Sequence, residues 1–412
     1  MGRASRAFAC SAIVATVLAT ALSSTGFAEP GDGIRAGGWI IHPSIEGNLG
    51  YQTNVFLLDR PNRTEHPDDW ILRLVPQIVV ERSGGRARLR LYALYDWRQY
   101  AFNSKLDAHD NVGLGITIAF DEDRDLALLA EDQFRIQSRP NELDLFGQYH
   151  RDANAAKLST IYRPGTALEV HPGVFWNYDR FTDSKTTFAE RHTAGAIVDA
   201  RWAFLSRTVF AVTGEGGRVL YSQSPVLPAM PTEKINSGST YWRVDAGLVG
   251  QVSPKINVTL KGGYGQALYS RNESLNDSRG VTATAKGDWA PRQNIAIGAG
   301  YERTFQDVFF TNFDVIDRVF AKYRHTFREE TIFEGSAIAE WQQYSKPYER
   351  RDFVVRIDPG VRRLLSNWAD IGLAYRYERR FSRLQSLGGP ASVDAPNAYT
   401  SHTVMFTANL KW

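Results

Sequence analysis

The chain lacks several features that would place it in common protein classes. Its only cysteine, Cys10, lies in an apolar run at the N-terminus, so a mature chain without that run has no thiol. That excludes disulfides, cysteine-metal sites and cysteine nucleophiles. No later stretch reaches the roughly 18 uninterrupted apolar residues that a spanning helix needs, which excludes a bundle of transmembrane helices.

The chain also lacks an excess of charge of either sign. It carries 48 basic and 45 acidic residues, a formal charge of +3, and without Arg3 and Arg6 the balance is 46 − 45 = +1. A chain this close to neutrality gives no reason to expect nucleic acid as a partner. The eight histidines show no metal-ligand spacing, and no nucleophile and base are suitably placed. We therefore predict no cofactor, no metal and no catalytic residue.

The N-terminus has the parts of an export signal. Arg3 and Arg6 precede an apolar run over residues 7–22, and Gly26-Phe27-Ala28 supplies the small residues of a cleavage site. The sequence therefore predicts a signal peptide at 1–28.

What the sequence does contain is an alternation of apolar and polar side chains with a period of two. Residues 402–412 alternate in this way and stop at Trp412, which resembles the C-terminal signature of outer-membrane β-barrels. We expect the barrel-assembly machinery to engage this last strand. The alternation is equally clear at residues 87–98, where arginines alternate with leucines.

Segments with this period recur along the chain and number eighteen, although strand boundaries leave sixteen possible. The connections between them alternate without exception between short and longer ones, as in barrels with tight periplasmic turns and long external loops. The sequence predicts an all-β, antiparallel, up-and-down transmembrane barrel. The predicted domains are a short periplasmic N-terminal segment at 29–38, after the signal peptide, and a single barrel at 39–412. The predicted strands are 39–51, 70–81, 87–98, 111–120, 125–136, 146–162, 167–180, 191–204, 208–220, 239–252, 256–269, 280–290, 293–306, 314–327, 331–344, 351–364, 368–381 and 399–412.

Two details refine this prediction. Asp132 falls on the apolar side of its strand and residues 149–161 carry charge on both sides, which predicts a bulge or register shift there.

Nine of the ten tryptophans fall on the apolar face and only Trp368 is out of phase. Since tryptophan favours the membrane interface, this distribution predicts two aromatic belts.

The face assigned to the interior carries nearly equal numbers of basic and acidic side chains. Burying so many charges in a dry core would cost too much, so we expect a hydrated lumen, wide enough at this strand number for an aqueous channel. Most of these arginines are expected to pair with carboxylates across strands. The alternative is an arginine ladder that guides an anion, which the clustering of Arg88, Arg90 and Arg98 with Arg73 on the neighbouring strand favours slightly. The pore-lining candidates are Arg73, Arg88, Arg90, Arg98, Arg135, Arg201, Arg243, Arg318, Arg324, Arg356, Arg376, Tyr92 and Tyr241. The lumenal aromatics could stack on sugar rings, but packing on the wall is the commoner use of such residues.

Three segments resemble a known family. The stretch from Gly50 to Phe56 (GYQTNVF), the segment from Trp70 to Glu81 with Pro76 at its centre, and the stretch from Tyr92 to Tyr100 (YALYDWRQY) are similar to a β-barrel porin family of Gram-negative bacteria often found with exopolysaccharide genes. The resemblance implies an outer-membrane channel, in some members thought to export a surface polysaccharide. It implies outer-membrane lipid, lipopolysaccharide and periplasmic polysaccharide-export proteins as partners.

The leading hypothesis is therefore a channel that exports exopolysaccharide across the outer membrane. A general diffusion porin for small solutes is the alternative within transport. The alternative from another class is a non-conducting structural or adhesive barrel, in which loops 52–69, 221–238 and 382–398 fold inward or serve as an adhesive or assembly surface.

Overall fold

A computed structural model describes most of the chain. The described residues are 32–57, 66–140, 148–182, 189–222, 226–227, 230–234, 238–269, 277–308, 311–345, 350–384, 393–394 and 398–412. The predicted signal peptide lies outside them. Within these residues no helix is long and apolar enough to cross a membrane.

Eighteen antiparallel strands form the wall, numbered here in chain order. They are β1 Trp39–Gln52, β2 Asp69–Gly84, β3 Ala87–Tyr100, β4 Ala108–Phe120, β5 Leu126–Pro140, β6 Gln148–Tyr162, β7 Leu168–Phe181, β8 Arg191–Leu205, β9 Thr208–Tyr221, β10 Ser239–Ser253, β11 Ile256–Tyr269, β12 Ser278–Arg292, β13 Ile295–Val308, β14 Thr311–Phe327, β15 Thr331–Tyr344, β16 Arg350–Leu364, β17 Ala369–Leu384 and β18 Tyr399–Lys411. Short strands at Ile34–Ala36, Val226–Leu227, Met230–Lys234 and Val393–Asp394, and a 3₁₀ turn at Ser104–Leu106, lie between or before them.

The sheet closes on itself. Each strand pairs with its neighbours in the chain, and β18 pairs with β1 from Lys411 opposite Ser44 to Thr403 opposite Gln52. Closure gives the backbone groups of the first and last strands partners, as a lipid environment requires. The prediction of an antiparallel barrel with eighteen strands is confirmed, and the alternative of sixteen is wrong.

The predicted bulge is not observed. β5 and β6 pair without a shift from Leu126 opposite Tyr162 to Pro140 opposite Gln148, so that prediction is wrong. Asp132 does lie on the outer face, where Asn154 Nδ2 donates a hydrogen bond to its Oδ1 at 2.9 Å. A hydrogen-bonding neighbour on the adjacent strand stabilises the carboxylate without a change of register.

The connections also alternate less strictly than predicted. At the end of the barrel that carries both termini they are short, for example at 85–86 and 293–294, but at the opposite end only residues 309–310 separate β13 from β14. The two strands stay paired with each other as far as Val308 and Thr311. They continue past the predicted strand ends because β13 turns into the lumen there, as described below.

Aromatic residues form two belts on the outer face. Near the end with the termini lie exposed Trp202, Trp289, Trp368 and Trp412, and near the other end lie Trp70, Trp176, Trp242 and Trp341. β8 gives the distance between the belts. Trp202 lies in one belt, and ten residues away His192 lies in the other, where its ring stacks on Tyr178 with centroids 4.5 Å apart. At about 3.3 Å per residue and a tilt of about 40°, ten residues rise about 25 Å, the height of the apolar band of such barrels.

Candidate functional site

The interior contains a cavity of about 820 Å³ on one side of the barrel. Its described lining residues come from β15 to β18, from β1 to β3 and from the first loop. Charged side chains are prominent among them: Arg73, Arg98, Arg356, Arg376, Arg380, Glu334, Glu340, Glu378 and Asp358. Four of the predicted pore-lining arginines therefore lie on one cavity.

On the β1–β3 side, the charges centre on Asp96. This carboxylate accepts hydrogen bonds from Arg73 Nε at 2.7 Å and from Arg98 Nη2 at 3.1 Å, and it is only 9% exposed. Arg73 Nη1 also lies 3.4 Å from Glu46 on β1. Two arginines thus share two carboxylates, which leaves this part of the wall nearly neutral.

On the β14–β18 side, three of the candidate arginines bond to a carboxylate of an adjacent strand. Arg318 Nε on β14 donates to Glu340 on β15 at 2.6 Å. Arg356 Nε on β16 donates to Glu378 on β17 at 2.7 Å. Arg376 on β17 pairs with Asp358 on β16. The wall is a lattice of paired charges in which donors and acceptors alternate.

The remaining candidates follow the same pattern with two exceptions. Ion pairs join Arg88 to Glu122, Arg90 to Glu81, Arg201 to Asp199, and Arg243 to Glu215 and Asp245. Only Arg135 and Arg324 have no carboxylate of the described residues within ion-pair distance. Nine of the eleven arginines are therefore paired, and whether they line a conducting path stays a prediction.

The suggested cluster of arginines on β2 and β3 divides into two groups. Arg73 lies directly opposite Arg98 near the loop end of the barrel, whereas Arg90 lies opposite Glu81 near the turn end. Ten residues separate Arg88 from Arg98, a distance of about 33 Å along a strand. The side chains therefore do not form an uninterrupted ladder of arginines on this strand.

The lumenal aromatic rings pack on the wall. Tyr92 lies opposite Gly115 and Tyr241 opposite Gly217, and in each pair the ring fills the space that a Cβ of the glycine would need. The same arrangement joins Phe175 to Gly195 and Phe320 to Gly300. Tyr241 also donates a hydrogen bond to Glu215 at 2.9 Å. These contacts favour the packing role over sugar stacking.

The comparison with protein families decides the class of the protein. The family described as "Putative beta-barrel porin 2" matches residues 29–388. The chain belongs to this family. Family membership and the closed barrel with its aromatic belts together identify an outer-membrane barrel of the porin type.

Solved structures with similar folds are distant in sequence. The porin is similar to OpdK of Pseudomonas aeruginosa, solved with vanillate, at 12% identity, 90% coverage of this chain, 99% of that chain and a TM-score of 0.47. It is similar to the FrpB iron transporter of Neisseria meningitidis at 10% identity, 90% and 81% coverage and a TM-score of 0.44. No curated protein gives a significant match.

The segment from Gly50 to Phe56, one of the three that resemble the family, has a structural role in this porin. Val55 is buried against Ile71, Tyr100 and Leu106 at the loop end of the barrel. Residues 53–57 therefore do fold inward, and Leu57 reaches the cavity. The two other loops proposed to fold inward, 221–238 and 382–398, lie largely outside the described residues.

One group of interior residues is not among the pore-lining candidates. Arg191 and Tyr221 both bond to Asp307 inside the porin. Arg191 and Tyr221 lie opposite each other on the inner face of β8 and β9, so alternation could have included them. Asp307 has the parity of the lipid-facing residues of β13, so alternation assigns it to the wrong side. Across the described residues no cluster of three or more potential metal ligands is found.

Proposed function

We propose that this porin is a channel for a polar solute and that the solute is a polysaccharide that leaves the cell. The observation that carries the proposal is the pairing of nine of the eleven candidate arginines with carboxylates. A paired lattice offers many hydrogen-bond donors and acceptors but little net charge. Such a surface suits a polyhydroxylated chain better than a small ion of one sign.

Passage also requires that binding be weak and repeated along the path. A field of unpaired arginines would retain an anion, because several charges would act on it together in a confined space. In the paired lattice each sugar hydroxyl can exchange one charged partner for the next at similar energy. The wall therefore suits a solute that binds weakly and moves along the channel, and it is less suited to a solute that binds tightly at one place.

A general diffusion porin for small polar solutes is the second candidate. The cavity of about 820 Å³ against β15 to β3 favours it, because a space of this size suits small molecules. For either solute, we propose that the signal peptide at 1–28 directs secretion of the porin itself and that the barrel-assembly machinery inserts the porin by engaging β18. Periplasmic polysaccharide-export proteins would be partners only in the first case.

The experiment is a clean in-frame deletion of the gene with a complemented strain beside it. Surface and secreted polysaccharide are quantified together with the uptake of small sugars and anions. Loss of surface polysaccharide that the wild-type gene restores would support export. Normal polysaccharide with impaired uptake would replace export by the general porin, and no change in either would overturn transport by this protein.

A further inference from the structure

Near the loop end of the barrel, β13 separates from the wall. β12 and β13 pair from Arg292 opposite Ile295 at the turn end to Ala283 opposite Arg303, and no further toward the loop end among the described residues. Residues 304–308 of β13, here called the inturned edge, remain paired with β14. Their partners on the β12 side are replaced by contacts inside the barrel.

The inturned edge points into the lumen, because its side chains face the inner wall and no longer face the lipid. Arg303 still lies on the outer side and pairs with Asp317 of β14 at 2.9 Å. Two residues later, the ring of Phe305 occupies the space in front of Gly265 on the inner face of β11. Odd-numbered side chains of β13 therefore face the lipid as far as Arg303 and face the inner wall from Phe305 toward the loop end.

Strand β14 contributes to the same contact. The ring of Phe313, opposite Asp307 in register, stacks on Tyr269 of β11 with centroids 6.1 Å apart and planes inclined by 25°. Phe305 and Phe313 therefore both lie against β11, two strands from β13 around the wall. The inturned edge covers the upper inner face of β12 and β11.

A polar contact fixes the far side of the inturned edge. Asp307 Oδ2 lies 3.1 Å from Arg191 Nη1 on β8, and Tyr221 of β9 donates a hydrogen bond to the same carboxylate. We call these three residues the latch. Arg191 Nε also donates to Asp179 at 3.0 Å, which ties the latch to β7. The latch joins β13 to strands that lie four and five positions away around the barrel.

We propose that the inturned edge is the constriction that sets the size limit of the channel, and that Asp307 is the residue that holds it in place. The proposal rests on the channel function proposed above. The edge covers the β8–β12 side of the lumen, and the cavity lies against β15 to β3, on the other side. A solute must therefore pass between the edge and the paired lattice, so the position of the edge limits the width of the passage.

The charges make the latch sensitive to a single substitution. The Arg191 and Asp307 side chains are only 20% and 14% exposed. Asp307→Asn removes the charge of one of the two carboxylates to which Arg191 bonds, and losing a charged partner in a poorly exposed pair is unfavourable. Asp307→Asn should therefore release the edge toward the wall and widen the passage.

The test compares purified wild-type protein with Asp307→Asn in planar bilayers and in liposomes swollen by sugars of graded size. The matched control is Asp317→Asn, which removes an arginine partner from the outer face of the same strand pair. We expect a higher single-channel conductance and a larger excluded sugar for Asp307→Asn, and wild-type values for the control. Migration of the unheated protein on gels verifies that each barrel is folded.

A second variant keeps the proposal testable if Asp307→Asn does not fold. Tyr269→Cys with Phe313→Cys, in a Cys10→Ser chain, places two thiols where the rings now stack. A short bis-maleimide linker should keep the conductance at the wild-type value, and the unlinked pair should conduct more.

The outcomes separate the two proposals. No current from wild type, from Asp307→Asn and from the unlinked cysteine pair would overturn the channel function itself. A conducting wild type with the same conductance and size limit in both variants would overturn the constriction and leave the channel standing.

Discussion

The ring of Tyr92 on β3 fills the space in front of Gly115 on β4, its direct partner across the strand pair. A Cβ at position 115 would overlap the ring, so Gly115→Ala should force Tyr92 toward the lumen. Overpacking of this kind costs about 1–3 kcal/mol, which we expect as a lower midpoint of urea unfolding in detergent. Gly280→Ala is the matched control, because a Cβ there meets no atom within 4 Å.

The double variant Tyr92→Ala with Gly115→Ala should recover part of the stability that Gly115→Ala loses. Equal losses from Gly115→Ala and Gly280→Ala would contradict the role of the ring, since they would reflect only a change in strand glycines.

Asp69 holds the connection between β3 and β4. Its fully buried carboxylate accepts hydrogen bonds from the backbone N–H groups of Ala101 at 3.0 Å and Asn103 at 2.8 Å, and from Asn103 Nδ2 at 2.8 Å. Asp69→Asn places an amide donor among these donors and should cost about 1–3 kcal/mol. We expect faster proteolysis within residues 101–107. Asp123→Asn, in an exposed turn, should leave the cleavage rate unchanged, and equal rates in both variants would exclude this anchoring role.

The strand positions could be predicted from the sequence because alternation is a local property. Trp202 and the lumenal arginines of β3 face the sides that counting by two assigns to them. The same counting fails at Asp307, since its inward position depends on contacts with β8 and β9 that are distant in the chain. The ten residues between Arg88 and Arg98 already show in the sequence that the two arginines do not cluster. Their ion-pair partners, Glu122 and Asp96, could not be predicted, because they depend on strand register and turn geometry.

The turn between β4 and β5 gives a prediction about pH. Arg86 donates two hydrogen bonds to Asp121, at 2.8 and 2.6 Å, and with its positive charge this lowers the pKa of the Asp121 carboxyl below its usual value. A lowered folded-state pKa adds stability above the unfolded pKa of about 3.9, and this contribution is lost as pH falls through the folded value.

Asp121→Asn is the suitable variant, because asparagine also tolerates the positive φ of 52° at this position. We expect wild type to have the higher thermal midpoint at pH 7 and the difference to shrink at pH 3 and below. A difference that stays constant over this range would rule out the ion pair as its source.

The two pore-lining candidates that lack an ion pair should control ion selectivity. Arg135 and Arg324 have no compensating carboxylate among the described residues, so their charges act on a passing ion more strongly than those of the paired lattice. Arg135→Glu with Arg324→Glu should shift the reversal potential under a KCl gradient toward cation selectivity. The control exchanges a pair, Arg356→Glu with Glu378→Arg, which conserves the charge of the lumen and should shift the potential little. If the exchanged pair shifts the potential more than the double glutamate variant does, local lattice order rather than unpaired charge determines selectivity.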